Sequence, residues 1–481
     1  MSGHRARVES LESRMLLAAD LSFAYQIGSP PAGTAANNDL GNAVAVDRWG
    51  NFYVAGGFAG TVDFNPSRRK TFNLTSTALT DAFVAKYAPD GSLLWARQAG
   101  GFGEDQATSV VVDRSGNVYV GGAFASDADF RPGKKLAILT SVGGLDAFLW
   151  KLDADGNLVS AVHGGGPSDD AVQSLALDAN GDIIMSGFYR TEAQFNTSDL
   201  ISAGGQDAFV VSVSPRLKIN FAASIGGAED DTGAGVAVDA AGNVYQTGTF
   251  AGTADLDPSD DASSDFSSQG ADDAYVVKLT SRGAFVFARQ MGGGGEDQGI
   301  NVAVDRFGNI LLTGPFAATA DFDPGAGVTN LTSAGSSDVY VARLNPAGNL
   351  TWAKQAGGAG AEGVRGLTVD KAGNAYVAGQ FTGTVDFDPG AGVSNLAGTT
   401  STTNGFVWKL TASGTLAYAR MLKTSSGGFC DGAAIALNAV GDLFVTGKFA
   451  GTVDFDPGTG VSNRATGGNQ TYDAYLEKLL A

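Results

Sequence analysis

Aspartates spaced two apart are the side chains in this chain best suited to chemistry. Asp386 and Asp388 stand in GTVDFDPG at residues 383–390, and the same eight letters return at 451–458 with Asp454 and Asp456. Weaker copies carry Asp321 with Asp323, Asp255 with Asp257, and Asp63 with Asn65. Side chains two apart on an extended segment point the same way, so each pair could offer two carboxylates to one cation. Calcium takes about six to eight oxygens, whereas a D-x-D-x-G loop offers about three or four and brings no later bidentate Glu. The same letters read equally as a turn, since proline ends strand pairing and glycine permits positive φ. The candidate calcium ligands are therefore Asp255, Asp257, Asp321, Asp323, Asp386, Asp388, Asp454 and Asp456, with a structural turn as the competing reading. The second and third copies have lost the pair, to Asp129 with Arg131 and to Gln194 with Asn196. No ring-wide array of ions is required.

A second set of acids sits in glycine-rich phrases: Asp39, Glu104 and Asp105, Asp169 and Asp170, Glu229 and Asp230, Glu296 and Asp297, Glu362, and Asp431. Either these carboxylates accept backbone N–H groups in tight crossings, or they form an acidic ring that holds a cation or a basic partner. Nucleophilic catalysis is poorly supplied. Of the two histidines, His4 lies near the start, and His163 aligns with Gln98 and Gln290 as an ordinary strand residue. Cys430 has no histidine near it in sequence. A Ser-His-Asp triad or histidine-rich metal site is thus nearly excluded. Two carboxylates could still serve as acid and base, as in glycosidases.

The elements that place these acids follow from a repeat. Asp/Asn-x-x-Gly-Asn/Asp recurs at Gly50, Gly116, Gly181, Gly242, Gly308, Gly373 and Gly441, in steps of 66, 65, 61, 66, 65 and 68 residues. Seven units fill residues 21–481 as one domain. In the second unit Ser109–Asp113 and Val118–Phe124 flank a turn with Asp first and Gly fourth, as a type I turn prefers. Ala147–Leu152 and Leu158–His163 make a second hairpin. Beta-branched and aromatic residues are frequent, proline is missing from these runs, and helical periodicity is not seen. Four strands in each of seven units is the arithmetic of an all-β, seven-bladed beta-propeller. The last unit ends in its third strand, and SFAYQIG at 22–28 matches the fourth-strand sequence LWARQAG at 94–100. The N-terminal strand is therefore expected to complete the last blade and close the ring.

The pattern GGxGED…VxVDxxGNxYVxGxF…DAFVxKL resembles the SBBP repeat, a bacterial beta-propeller repeat, over residues 21–481. That resemblance implies the fold and no single activity. Segment 1–20 contains LESRMLL at 11–17, which resembles the LEPR-XLL motif of large exported bacterial proteins, with Ser13 where that motif has proline. It implies a secreted or cell-surface location. A formal charge of −19 disfavours nucleic acid and anionic lipid, and no apolar run reaches the length of a membrane span. With loops 2–3 and the inter-blade crossings on one face of the disc, both acidic families should crowd one side. The expected function is a monomeric, non-catalytic scaffold binding a protein or glycan there, with calcium as an aid. The alternative is a carbohydrate-active hydrolase or lyase using carboxylates at the channel mouth.

Overall fold

A computed structural model describes residues 21–28, 38–67, 69–131, 136–196, 198–259, 264–458, 460–466 and 471–480. The export-like segment and His4 lie outside the described residues. Every named element is a β-strand, and every ladder between named strands is antiparallel. The second unit shows the scheme: an inner strand Asp105–Val112, a second strand Val118–Asp129, a third strand Ile138–Leu152 and an outer strand Leu158–Gly164, paired in that order. The inner strand of each unit contacts that of the next, and Ala434–Leu437 of the seventh contacts Leu40–Val46 of the first. In the seventh unit the third strand Asp473–Leu479 pairs on one side with Leu443–Ala450 and on the other with Leu21–Ile27. The N-terminal strand thus takes the outer place in the last unit, as its sequence match requires.

The 1–2 turns form as their residues dictate. Asp113 Oδ1 accepts the N–H groups of Ser115 (2.8 Å) and Asn117 (2.9 Å), and Gly116 adopts φ +87°. Between units the core is apolar. One cluster joins Phe52, Val54 and Phe83 of the first unit to Phe444, Ala474 and Leu476 of the seventh. Strands with both faces buried this way carry continuous apolar runs in place of alternation.

The strands differ from expectation at one place, and it answers what the GTVDFDPG phrase is for. Its first half is strand. After a positive-φ residue the second strand continues as Thr384–Asp386, which pairs on one side with Asn395–Ala397 and on the other with the outer strand of the preceding unit, Gly357↔Asp386 and Gly358↔Val385. The same link recurs as Gly28↔Asp63, Gly100↔Asp129, Gly165↔Gln194, Gly226↔Asp255, Gly292↔Asp321 and Lys423↔Asp454. These links run adjoining units together, so the strands group into five continuous sheets, the largest of ten strands, and not into seven separate ones. The hinge of each link is left-handed. Glycine fills it at Gly60, Gly252, Gly383 and Gly451, while Ser126, Thr191 and Ala318 hold φ of 61°, 62° and 56° there, a conformation that costs a side-chain-bearing residue about 1–2 kcal/mol.

Two recurring kinds of side chain fix how these strands pack. The recurring third-strand cations do not pair with a neighbouring unit's carboxylates. Arg343 and Lys478 bridge Asp305 and Asp442 of their own units, and Lys86 and Lys151 donate to the turn carbonyls of Ala154 and Pro215 in the next unit. The outer-strand aromatic packs on the next unit's 3–4 turn: Trp95 Nε1 donates to Ala154 O at 3.1 Å, and a Cβ built on Gly156 would stand 2.7 Å from the Trp95 ring. The third unit's departure from the repeat is a compensation for this contact. Ser160 replaces the aromatic of the second unit, opposite Lys151 as Trp95 is opposite Lys86, and Leu217 replaces the turn glycine at φ 56°. Leu217 then packs into the apolar cluster that joins the second and third units.

Removing residues 21–28 should cost the third strand of the last unit its outer partner. A thermal melt should show Tm lower by about 5 °C or more; an unchanged Tm would show that closure by this strand contributes nothing.

Candidate functional site

The paired aspartates of the insertion organise their own hairpin. Asp386 Oδ1 accepts the N–H groups of Asp388 (3.0 Å) and Ser394 (2.8 Å), and Asp388 Oδ1 accepts that of Gly390 (2.8 Å). Asp321 and Asp323 bond Asp323, Thr329 and Gly325 in the same way, and Asp454 and Asp456 bond Asp456, Ser462 and Gly458. Asp255 serves Asp257 and Ser264. Asp129, whose partner is Arg131, makes the same two turn bonds, to Arg131 and Ala137. The first aspartate's role in the turn therefore does not depend on the second. Among the described residues no three His, Cys, Asp or Glu side chains gather into a metal-holding group.

Each crossing buries one acid, and the crossings that carry further acids leave those exposed. Asp105 is fully buried: Oδ2 accepts Gly101 N–H (2.8 Å) and Oδ1 accepts Ala125 N–H (3.3 Å), so a single carboxylate ties the outgoing strand to the second strand of the next unit. Asp170 and Asp297 repeat both bonds, and Glu362 repeats the first. The sequence alignment slips by one at the third crossing. Asp231, not Asp230, is the buried member, bonded to Gly227 (2.6 Å) and Ala251 (3.1 Å), while Asp230 is exposed and pairs with Arg190. The spacing from the second glycine of the pair, four residues in Gly101–Asp105 and in Gly227–Asp231, carries this signal in the sequence. Glu104, Asp169, Glu229, Asp230 and Glu296 remain at the surface.

Five of the buried crossing acids, Asp105, Asp170, Asp231, Asp297 and Glu362, have a second buried acid beside them, the aspartate that opens the third strand of the preceding unit. A Cβ built on Gly165 would stand 2.8 Å from both Asp146 Oδ1 and Asp170 Oδ2; Gly100 and Gly226 separate Asp81 from Asp105 and Asp207 from Asp231 in the same manner. Only glycine admits this approach. Asp81 and Asp338 are each clamped by a glutamine from the outer strand, Gln98 (3.1 Å) and Gln355 (3.0 Å). His163 takes that place beside Asp146, its Nδ1 2.9 Å from Oδ2, so it replaces a clamp and is not an idle strand residue. The QAG/QMG/QIG echo in the outer strands was the available sign. Asp146 Oδ1, Asp207 Oδ1 and Glu362 Oε1 are buried and accept no hydrogen bond.

Burial, reinforced by the neighbouring carboxylate, raises Asp81, Asp170, Asp231 and Glu362 to about 7 and Asp297 to about 6; burial alone raises Asp105 and Asp338 to about 6. Unfolded carboxylates titrate near about 4. Acids raised on folding contribute stability that is complete below the unfolded value and lost as pH rises through about 6 to 7. On the acid side, Asp90 and Asp230, held low first by the backbone N–H groups of Ser92 and Gln206, contribute stability lost as pH falls through their folded values. Tm should therefore fall between pH 5 and pH 8, and Asp207→Asn, an exchange the chain itself makes at Asn404, should flatten that fall by about 1–3 °C. Parallel wild-type and variant curves would refute the assignment.

Glu477 was not singled out by its sequence, although the repeat marks it. Ala85, Trp150, Val211, Val277, Ala342 and Trp408 hold its place in the other units. It is fully buried, neither carboxylate oxygen has a partner, and burial holds its carboxyl well above the usual range. Cys430 is buried nearby, with a thiol likewise pushed up by burial, so it is no reactive thiolate. Glu477→Leu should raise Tm, and by more at pH 9 than at pH 6, since the raised carboxyl loses its proton in that direction; a lower Tm at both pH values would show that the carboxyl is needed.

The inner strands line a cavity of about 890 Å³, with residues from all seven units. Five of these strands carry a bulge, at Asn42, Thr108, Gln173, Ala234 and Arg365; Ile300 and Ala433 hold the same place in the other two, and all seven residues face the cavity.

These features define a beta-propeller repeat protein, its strands joined by antiparallel ladders and built from one recurring unit. The chain carries the SBBP beta-propeller repeat, matched at residues 94–123 and 351–380. It is 22% identical over 337 residues to an uncharacterized WD repeat-containing protein, L264, of Acanthamoeba polyphaga mimivirus, covering 57% of this chain and 24% of that protein. It is 25% identical over 351 residues to the regulatory protein FlaEY of Caulobacter vibrioides, covering 67% and 34%. The chain thus spans a quarter to a third of these relatives' lengths. Among solved structures it is similar to Sqt1 from Chaetomium thermophilum, with 10% identity, 96% and 99% coverage and a TM-score of 0.40. It is also similar to a puromycin hydrolase, with 12% identity, 90% and 62% coverage and a TM-score of 0.37. The assignment rests on the repeat and the strand pairing, not on these low-scoring superpositions.

Proposed function

We propose that residues 21–481 form one closed, seven-bladed propeller that acts as a non-catalytic interaction scaffold through its crossing-and-insertion face. The observation that carries this reading is the link between units. The glycine pair that enters four of the crossings is hydrogen-bonded to the insertion hairpin of the next unit, which supports a shared side for the two loop families. Glu104, Asp169, Glu229, Asp230 and Glu296 give that side an exposed acidic arc, suited to a protein with a basic surface. The contact between the inner strands of the last and first units supports the closed ring. The buried acid pairs argue against a hydrolase or lyase, because they recur at junction after junction and are shut away from a substrate. Export to a bacterial surface is supported by the LEPR-XLL-like segment alone.

The test combines Glu104→Gln, Asp169→Asn, Glu229→Gln and Glu296→Gln and measures binding of a fluorescent decalysine peptide by anisotropy. Affinity should fall by about tenfold, and the wild-type affinity should weaken with salt; equal affinity in a control carrying Asp155→Asn and in the quadruple variant would overturn the reading. Calcium belongs to the same proposal as a bridging aid at Asp386, Asp388, Asp454 and Asp456. Saturation at about 100 times Kd should add about 2.7 kcal/mol of stability, so a Tm unchanged in millimolar calcium removes it.

A further inference from the structure

Within this chain the repeat is strict where it builds the fold. The residue two places after each bulge is aliphatic in every unit: Val44, Val110, Leu175, Val236, Val302, Leu367 and Ile435. The bulge residue is the exception, reading Asn, Thr, Gln, Ala, Ile, Arg and Ala around the cavity. A position that meets an asymmetric ligand must break the repeat.

The lining has a definite chemistry. Gln106, Gln173, Gln298 and Gln380 present neutral amides to the cavity. Arg365 is the only Lys or Arg among the described lining residues, it is exposed to the cavity, and its guanidinium makes no hydrogen bond or ion pair among the described residues. Asn42 and Thr108 are partly committed, donating to Ala107 O (2.9 Å) and Val172 O (2.6 Å) of the next unit. Asp431 also lines the cavity and feels the charge of Arg365, but it is buried, and its Oδ1 accepts the backbone N–H of Lys448 at 2.8 Å. A guanidinium with free donors takes a carboxylate in a two-point grip. Amides on the surrounding strands suit hydroxyl groups, which both donate and accept. The volume lies within the range of small-molecule sites.

We infer that this cavity binds a monoanionic, hydroxyl-rich ligand, an acidic sugar, whose carboxylate is held by Arg365 and whose hydroxyls meet the glutamine amides. The excess negative charge of the chain sets the limit of one anionic group. This inference rests on the closed-propeller reading, and the test separates the two. Cellobiouronic acid is titrated calorimetrically into the full chain, with cellobiose and trialanine as comparisons, while small-angle scattering of the same samples reports a closed disc or an open form. Saturable binding of the uronate is expected, about tenfold tighter than cellobiose or trialanine and about tenfold weaker in Arg365→Gln, with Arg306→Gln unchanged. Uronate binding unaffected by Arg365→Gln, or cellobiose binding as tightly, overturns the carboxylate grip. Trialanine binding as tightly overturns the sugar assignment. No uronate binding by a closed disc overturns the site alone, whereas an open form overturns the propeller reading beneath it.

Discussion

The carboxylate buried in each crossing is the interaction on which the rest depends. A chain leaving one unit for the next must turn through a tight glycine-rich segment whose N–H groups are cut off from water. An unsatisfied buried N–H costs about 1–3 kcal/mol. Asp105, Asp170, Asp231 and Asp297 each satisfy two such groups with one side chain, and in doing so fix the angle between neighbouring units. The glycines are the complement of this device. At Gly100, Gly165 and Gly226 a side chain would collide with the acids, so the acid and the glycine must be kept together.

Placing a second acid beside the first carries an electrostatic cost that the fold accepts by keeping protons. The sixth unit shows the other solution. Asn404 replaces the third-strand aspartate, its Oδ1 accepts Thr424 N–H at 3.0 Å, and the charges of Lys448 and Arg365 act on Asp431. The chain thus contains its own substitution experiment at this position, and the amide is compatible with the same strand geometry.

Much of the architecture was legible because it is repeated. Period, turn chemistry and four apolar runs defined the unit, and the match between SFAYQIG and LWARQAG placed the first strand in the last unit, where it is found. The role of GTVDFDPG was legible only in part. Its turn could be read from proline and glycine, but its pairing with the preceding unit depends on a partner strand about thirty residues upstream, Gly357 with Asp386, which local letters do not reveal. The destinations of Lys86 and Arg343 are not legible for the same reason: a long side chain can reach its own turn, the next unit's carbonyl or a neighbouring acid, and spacing alone does not choose. Glu477 and the bulge residues were readable in principle as departures from a repeat, but period analysis looks for agreement and passes over them.

The place of the N-terminal strand in the last unit puts the boundary of the repeating sequence one strand out of phase with the boundary of the structural unit. The seam therefore lies inside a sheet, where a ladder from Leu21↔Leu479 to Ile27↔Ala474 spans it, and not between two sheets. An in-frame gain or loss of a whole 65-residue segment in the interior would leave that ladder untouched. The number of units in such a chain is then free to drift over generations without any redesign of the join.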